Sequence, residues 1–153
     1  LARLARQQLL ELRLIEYMDV GNRNGWAMEQ VLPAAAMVER IHRHWPLAPL
    51  GRSPGGTSRR WRYRDGRGSI GVIASISEPF CGDCNRLRIT ADGQAYTCLF
   101  AARGTDLKPV LASGGDLEQA MRALWQERVD RYSEEGRVAA LSTPRAEMAY
   151  LGG

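Results

Sequence analysis

The residues best suited to chemistry are Cys81, Cys84 and Cys98, spaced Cys-x2-Cys-x13-Cys. A Cys-x2-Cys loop lets two thiolates converge on one metal centre, with Gly82 easing the bend. An odd cysteine count argues against a disulfide framework, and three thiols so close in sequence read as metal ligands in a reducing compartment. The chain has no fourth cysteine. A closed structural zinc site takes four ligands and a complete iron–sulfur cubane takes four cysteines. Three thiolates therefore point to a metal or cluster with an open position for a substrate atom. The alternative is a zinc knuckle closed by a histidine or carboxylate, and spacing alone leaves zinc and iron–sulfur equally open. His42 and His44 fall on a different expected helix and read as polar-face residues.

Arg86 and Arg88 follow the cysteine pair directly, in Cys84-Asn85-Arg86-Leu87-Arg88-Ile89. In a strand, residues two apart share a face. The two guanidinium groups then form a fork suited to a polyphosphate, while Leu87 and Ile89 point toward a core. Thr90-Ala91-Asp92-Gly93 suits a type I turn followed by a left-handed glycine, which makes a three-residue hairpin loop. That register pairs Thr90 with Gln94, Arg88 with Tyr96 and Arg86 with Cys98. Cys98 is then expected roughly 7–9 Å from Cys84 between α-carbons.

Several elements must position these groups. Residues 11 to 18 read as a strand, and a polar glycine loop from Asp19 to Gly25 follows. A helix is expected from about Ala27 to Trp45, with Val31, Ala35, Val38 and Ile41 on one face, ended by Pro46 and Pro49. Gly51 to Gly56 reads as a loop. Arg59–Tyr63 and Ser69–Ser75 read as strands around the turn Arg64-Asp65-Gly66. Leu107–Leu111 suits a short helix. Asp116 to Val129 suits a longer one, with Asp116 as N-cap and Leu117, Met121, Leu124 and Trp125 on the buried face. Residues 130 to 153 read as polar and irregular. Helix, strand, loop and helix at the start of the chain make an α/β repeat.

The bulk properties agree with this picture. A chain of 153 residues, 44% hydrophobic and 25% charged, suits one compact globular domain. No stretch approaches the ~18–20 apolar residues of a membrane span. The first residues, Leu1-Ala2-Arg3-Leu4-Ala5-Arg6, lack an initiator Met and the apolar core of a signal peptide, and look like the middle of an amphipathic helix. The chain is therefore expected to begin inside something larger. The net charge of +4 is carried almost wholly by arginine, Lys108 being the sole lysine, and it suits an anionic substrate.

The run Glu78-Pro79-Phe80-Cys81-Gly82-Asp83-Cys84-Asn85-Arg86-Leu87-Arg88, with Thr90-Ala91-Asp92-Gly93 and Tyr96-Thr97-Cys98-Leu99-Phe100, closely resembles the auxiliary-cluster segment of the GTP 3′,8-cyclases. These are radical S-adenosylmethionine enzymes of molybdenum-cofactor biosynthesis. Further likeness lies in Arg13-Leu14-Ile15-Glu16-Tyr17-Met18, Gly21-Asn22-Arg23-Asn24-Gly25-Trp26, Ile70-Gly71-Val72-Ile73, Asp130-Arg131-Tyr132-Ser133 and the terminal Gly152-Gly153.

The resemblance implies an incomplete TIM-like barrel with a C-terminal extension. Residues 1–50 would be the last strand and helix units of the barrel, and residues 51–153 the auxiliary-cluster and GTP-binding region. One 4Fe-4S cluster, on an N-terminal Cys-x3-Cys-x2-Cys motif, would cleave S-adenosylmethionine. The resulting radical would take hydrogen from the ribose 3′ carbon of GTP, and that carbon would attack carbon 8 of the guanine. By resemblance, Cys81, Cys84 and Cys98 hold a second 4Fe-4S cluster whose open iron meets the guanine. Arg86 and Arg88 bind GTP, Arg13 faces the active site, and Met18 contacts S-adenosylmethionine. Gly152 and Gly153 thread into the active site and are needed for turnover. The strand reading agrees for Met18, which falls at a strand's C-terminal end, where barrel enzymes place their sites.

The N-terminal cysteine motif lies outside these 153 residues. The chain alone is therefore expected not to start the radical, and to need the missing N-terminal half as its partner. The resemblance further implies a cytoplasmic bacterial enzyme, a homodimer at full length, without membrane or nucleic-acid partners. Two other readings compete. One is a zinc-dependent nucleic-acid-binding module using Arg59-Arg60-Trp61-Arg62-Tyr63-Arg64, a stretch that also reads as an amphipathic hairpin strand. The other is an auxiliary-cluster domain of a different radical enzyme, against which Cys-Asn-Arg-Leu-Arg argues.

Overall fold

A computed structural model describes residues 1–21, 23–135 and 145–152. The chain is mixed α/β and forms two compact units. The first comprises Leu1–Met18 and Trp26–Cys84; the second comprises Asp19–Gly25 and Asn85–Gly153.

The first unit is a four-stranded sheet covered by a helix. After α1 (Ala2–Gln7), β1 (Glu11–Ile15) lies parallel to β4 (Ser69–Ile73), with Arg13 opposite Gly71. β4 pairs antiparallel with β3 (Arg59–Tyr63), and β3 with β2 (Leu47–Arg52), giving the order β1-β4-β3-β2. Alternation sorts the side chains. Leu12, Leu14, Trp61, Tyr63, Ile70 and Val72 meet helix α2 (Ala34–His44) through Ala34, Met37, Val38 and Ile41. Arg60 and Arg62 are exposed on β3, so the arginine–aromatic run is an amphipathic strand.

Two expectations change here. The long helix from Ala27 divides into a 3₁₀ turn (Met28–Gln30) and α2, because Pro33 sits extended at the helix N-cap. Val31 ends the 3₁₀ turn and Ala35 is exposed, so neither belongs to the buried face of α2. The expected loop after Leu50 begins inside β2. That strand holds Pro49 and Gly51 because it is an edge strand with a bulge between them. His42 has a structural role: its Nδ1 accepts the Leu47 N–H at 3.1 Å, closing the turn from α2 into β2.

The second unit holds a small antiparallel sheet of order β5-β6-β7, from β5 (Arg88–Ile89), β6 (Gln94–Tyr96) and β7 (Thr105–Asp106). Helices α3 (Lys108–Ala112) and α4 (Leu117–Gln126) follow. Asp116 caps α4 as expected, accepting the Gln119 N–H at 3.0 Å. Leu117, Met121, Leu124 and Trp125 form its half-buried face. The stretch after Asp130 is less irregular than expected, since α5 (Tyr132–Glu135) lies there. Phe100 stacks on Tyr132 with ring centroids 4.5 Å apart.

Candidate functional site

Cys81–Asp83 form a 3₁₀ turn, with the Cys84 N–H donating to the Cys81 carbonyl at 3.2 Å. Residues three apart nearly eclipse in this geometry, which is the backbone arrangement two thiols on one side require. Gly82 is not in the left-handed region, so the bend needs no glycine conformation of its own. Both cysteines are half-buried. Asp83 is tied to Arg52 at 3.2 Å and accepts the Gly55 N–H at 3.4 Å, while the Arg52 guanidinium lies 5.4 Å from the Phe80 ring centre. A cavity of about 630 Å³ opens beside this turn, lined by Arg52, Arg59, Glu78, Phe80 and Asp83 among others.

In the second unit the three-residue hairpin loop is found as expected. Gly93 has φ +83°, its N–H donates to the Thr90 carbonyl at 2.9 Å, and Thr90 N–H donates to the Gln94 carbonyl at 3.0 Å. Arg88 pairs with Tyr96, but the ladder stops there. Arg86 and Cys98 are not a ladder pair, because Cys98 enters a turn whose Ala101 N–H donates to the Cys98 carbonyl at 3.3 Å. The Phe100 N–H also donates to Cys98 Sγ at 3.4 Å. Arg86, Leu87 and Arg88 are half-buried, whereas Ile89 is exposed rather than turned into a core, the strand being only two residues long.

The cysteines are divided: Cys81 and Cys84 belong to the first unit, Cys98 to the second. Within each unit, among the described residues, no three His, Cys, Asp or Glu side chains are gathered into a metal-holding group. Arg13 is exposed on β1 and donates to Glu11 at 2.8 Å, while Glu11 also takes Arg60 at 2.7 Å. The Arg13 hydrogen bond, with help from Arg60, holds the Glu11 carboxyl below its ordinary range. Met18 is half-buried just beyond β1. Gly152 has φ +80° at the end of a turn; Gly153 lies outside the described residues, as does Asn22.

Two features escaped the sequence reading. Glu16, 1% exposed, accepts the N–H groups of Ala34 (2.7 Å), Ile76 (2.7 Å) and Ser77 (2.8 Å) and the Ser77 hydroxyl (2.5 Å). One carboxylate thus caps α2, which has no side-chain cap of its own, and fixes the chain leading from β4 to the cysteine turn. In the second unit, Arg145 reaches the Asp19 carboxylate at 3.2 Å and the Tyr132 oxygen at 2.8 Å, and Tyr132 donates to Asp19 at 2.5 Å. The only sequence signal for Glu16 was a carboxylate closing an apolar strand. For the Asp19 group there was none, its members being far apart in the chain.

A family model described as Molybdenum Cofactor Synthesis C matches residues 10–134, and the chain belongs to that family. Its relatives carry a more particular name. Proteins named GTP 3′,8-cyclase from Synechococcus sp. (strain CC9605) and Synechococcus sp. (strain WH7803) are 75% and 69% identical to it over 153 residues, which is 100% of this chain and 44% of each relative. A protein of the same name from Acidothermus cellulolyticus (strain ATCC 43068 / DSM 8971 / 11B) is 52% identical over 142 residues, 88% of this chain and 39% of that protein. The chain therefore spans less than half the length of these relatives.

Proposed function

We propose that this chain is the substrate-gripping C-terminal part of a GTP 3′,8-cyclase, which converts GTP to (8S)-3′,8-cyclo-7,8-dihydroguanosine 5′-triphosphate with a radical derived from S-adenosylmethionine. The observation that carries this reading is the run from Cys81 to Arg88. Cys81–Asp83 form a 3₁₀ turn and Arg88 begins a hairpin strand, in a sequence 75% identical to a protein of that name. In this reading residues 1–50 are the last barrel units and residues 51–153 the auxiliary-cluster region. The earlier part of the enzyme carries the cluster that cleaves S-adenosylmethionine, so the isolated chain is inactive. The whole enzyme is a cytoplasmic homodimer.

The donor set fits a 4Fe-4S cluster. Three half-buried thiols are available, the chain holds no fourth cysteine, and a backbone N–H points at the Cys98 sulfur, the kind of outer contact that supports a cluster ligand. Cys81, Cys84 and Cys98 would hold the cluster, and its open iron would supply a Lewis-acid contact for the guanine. Arg86 and Arg88 bind the triphosphate by charge-assisted hydrogen bonds, which a nearby apolar environment strengthens. Arg13 faces the reacting nucleotide, Met18 contacts S-adenosylmethionine, and Gly152 and Gly153 enter the site, where the lack of side chains suits a narrow channel.

Anaerobic reconstitution followed by metal analysis tests the cluster. Iron bound with broad absorption near ~400 nm is expected; stoichiometric zinc with no iron uptake would sink it and favour a zinc module. In the full-length protein, Arg86→Ala and Arg88→Ala should each weaken GTP binding roughly tenfold or more, from the loss of hydrogen bonds to a charged group. Unchanged affinity in both variants removes the fork.

A further inference from the structure

The last described residues, 145–152, lie in the second unit and are held there by several polar side chains beside the buried Leu151. Arg145 is 8% exposed and Asp19 is 3% exposed at the side chain, so their ion pair is buried. Arg145 also donates to the Asp19 carbonyl at 3.0 Å. The Glu147 carboxylate fills the space a Cβ would need at Gly21, whose φ is +77°. Tyr150 donates to Asp92 at 2.8 Å and meets Tyr96 edge-on, ring centres 6.3 Å apart. The segment itself is a tight turn in which the Tyr150 and Leu151 N–H groups donate to the Glu147 carbonyl at 3.0 and 3.2 Å, and Leu151 is 5% exposed.

These partners are not scattered at random. Asp19 directly follows Met18. Asp92 is in the loop between Arg88 and Cys98. Tyr132 stacks on Phe100, two residues after Cys98. The segment therefore rests on the neighbours of three residues to which the sequence assigns chemistry. A buried ion pair adds little stability that apolar packing would not supply, and what it gives is a single geometry. Tyr150 adds a second fixed point, so the segment is held near both of its ends, at Arg145 and at Tyr150.

We propose that Asp19, Tyr132 and Arg145 at one end, and Asp92 and Tyr150 at the other, are positioning residues that seat the C-terminal segment and aim its terminal glycines. The proposal rests on the reading that those glycines enter the active site. It assigns no contact with substrate to any of the five. Their work is to keep one backbone path populated, which places the glycines without help from their own side chains.

The test uses the full-length protein with its clusters loaded. Tyr150→Phe keeps the ring against Tyr96 and deletes only the hydroxyl, and Asp92→Asn removes the charge it donates to, so neither should endanger folding. Amide hydrogen exchange in the peptide covering residues 145–152 should quicken roughly three- to tenfold in each, with other peptides unchanged, as expected for one lost hydrogen bond. Turnover number should fall by a similar factor with KM for GTP unchanged. The double variant should do no worse than either single one. Exchange and turnover both unchanged would overturn the proposal. So would faster exchange with full turnover, or faster exchange spread over the whole second unit, which marks plain structural support. Gly152→Ala and Gly153→Ala are the separate control: full turnover in both would sink the reading beneath the proposal, whatever the exchange data show.

Discussion

The cysteine turn and the C-terminal segment are both held by a buried carboxylate, yet in opposite ways. Glu16 in the first unit is satisfied by three backbone N–H groups and one hydroxyl, with no cation paired to it among the described residues. Asp19 in the second unit is met by a guanidinium and a phenol. The first arrangement is built into the backbone of α2 and of the chain after β4, so it moves only if that backbone moves. The second depends on three side chains brought together from residues 19, 132 and 145. Anchoring through backbone donors and anchoring through side chains are thus divided between the two units, the first in the chain leading to Cys81 and Cys84, the second under the tail.

The largest effect should come from breaking the backbone-anchored case. Glu16→Ala leaves the Ala34, Ile76 and Ser77 donors without an acceptor, at about 1–3 kcal/mol for each buried group. Relaxation and water entry hold the total to about 4 kcal/mol. Urea unfolding followed by the fluorescence of Trp26, Trp45 and Trp61, all in the first unit, measures it. Glu16→Gln should recover only part, since an amide accepts at one oxygen where the carboxylate accepts at two. A loss under 1 kcal/mol in Glu16→Ala would show that the carboxylate is ornamental to the turn.

What could be read from the sequence followed the same division. The hairpin loop at residues 91–93, the Asp116 cap and the buried face of α4 are local matters of turn chemistry and period, and they stand where their residues indicated. The cysteine turn and the Arg88–Tyr96 pairing were equally local. Helix α2 starts later than its apolar pattern because Pro33 overrides the period. Strand β2 was hidden by Pro49 and Gly51, which break a central strand but are tolerated at an edge. Glu16 and Asp19 were invisible because their partners lie as many as 61 and 126 residues away. Only the folded backbone brings such donors to them, and Arg86 opposite Cys98 failed for a related reason: a turn at Cys98 took its carbonyl from the ladder.

The side-chain case should break at a smaller figure. Arg145→Ala removes the buried cation beside Asp19 and should cost about 3 kcal/mol, read from the second unit's single tryptophan, Trp125. The double variant with Asp19→Ala should cost clearly less than the two single losses together, because each single change already removes the shared pair. Equal additivity would mean that the two side chains act independently, and the contrast with Glu16 would vanish.

The smallest effect is on pH, and it sharpens the comparison through Tyr132. Burial first, and then its hydrogen bond to the Asp19 carboxylate, push the Tyr132 hydroxyl up to about 12 from its ordinary value of 10.0. The folded value is raised, so the stabilisation is fully present below pH ~10 and is lost as pH rises through ~12. The group is not fully enclosed, and solvent screening reduces the contribution to about 1 kcal/mol. The second unit should therefore weaken between those two pH values, as reported by Trp125, and Tyr132→Phe should flatten that slope. Burial also raises the Tyr63 hydroxyl in the first unit, where the Arg6 guanidinium, 4.3 Å from the ring centre, works against the shift. The first unit's tryptophans should keep their alkaline slope in the Tyr132→Phe protein. An undiminished slope at Trp125 in that variant would show that the phenol does not hold the proton that seats Asp19.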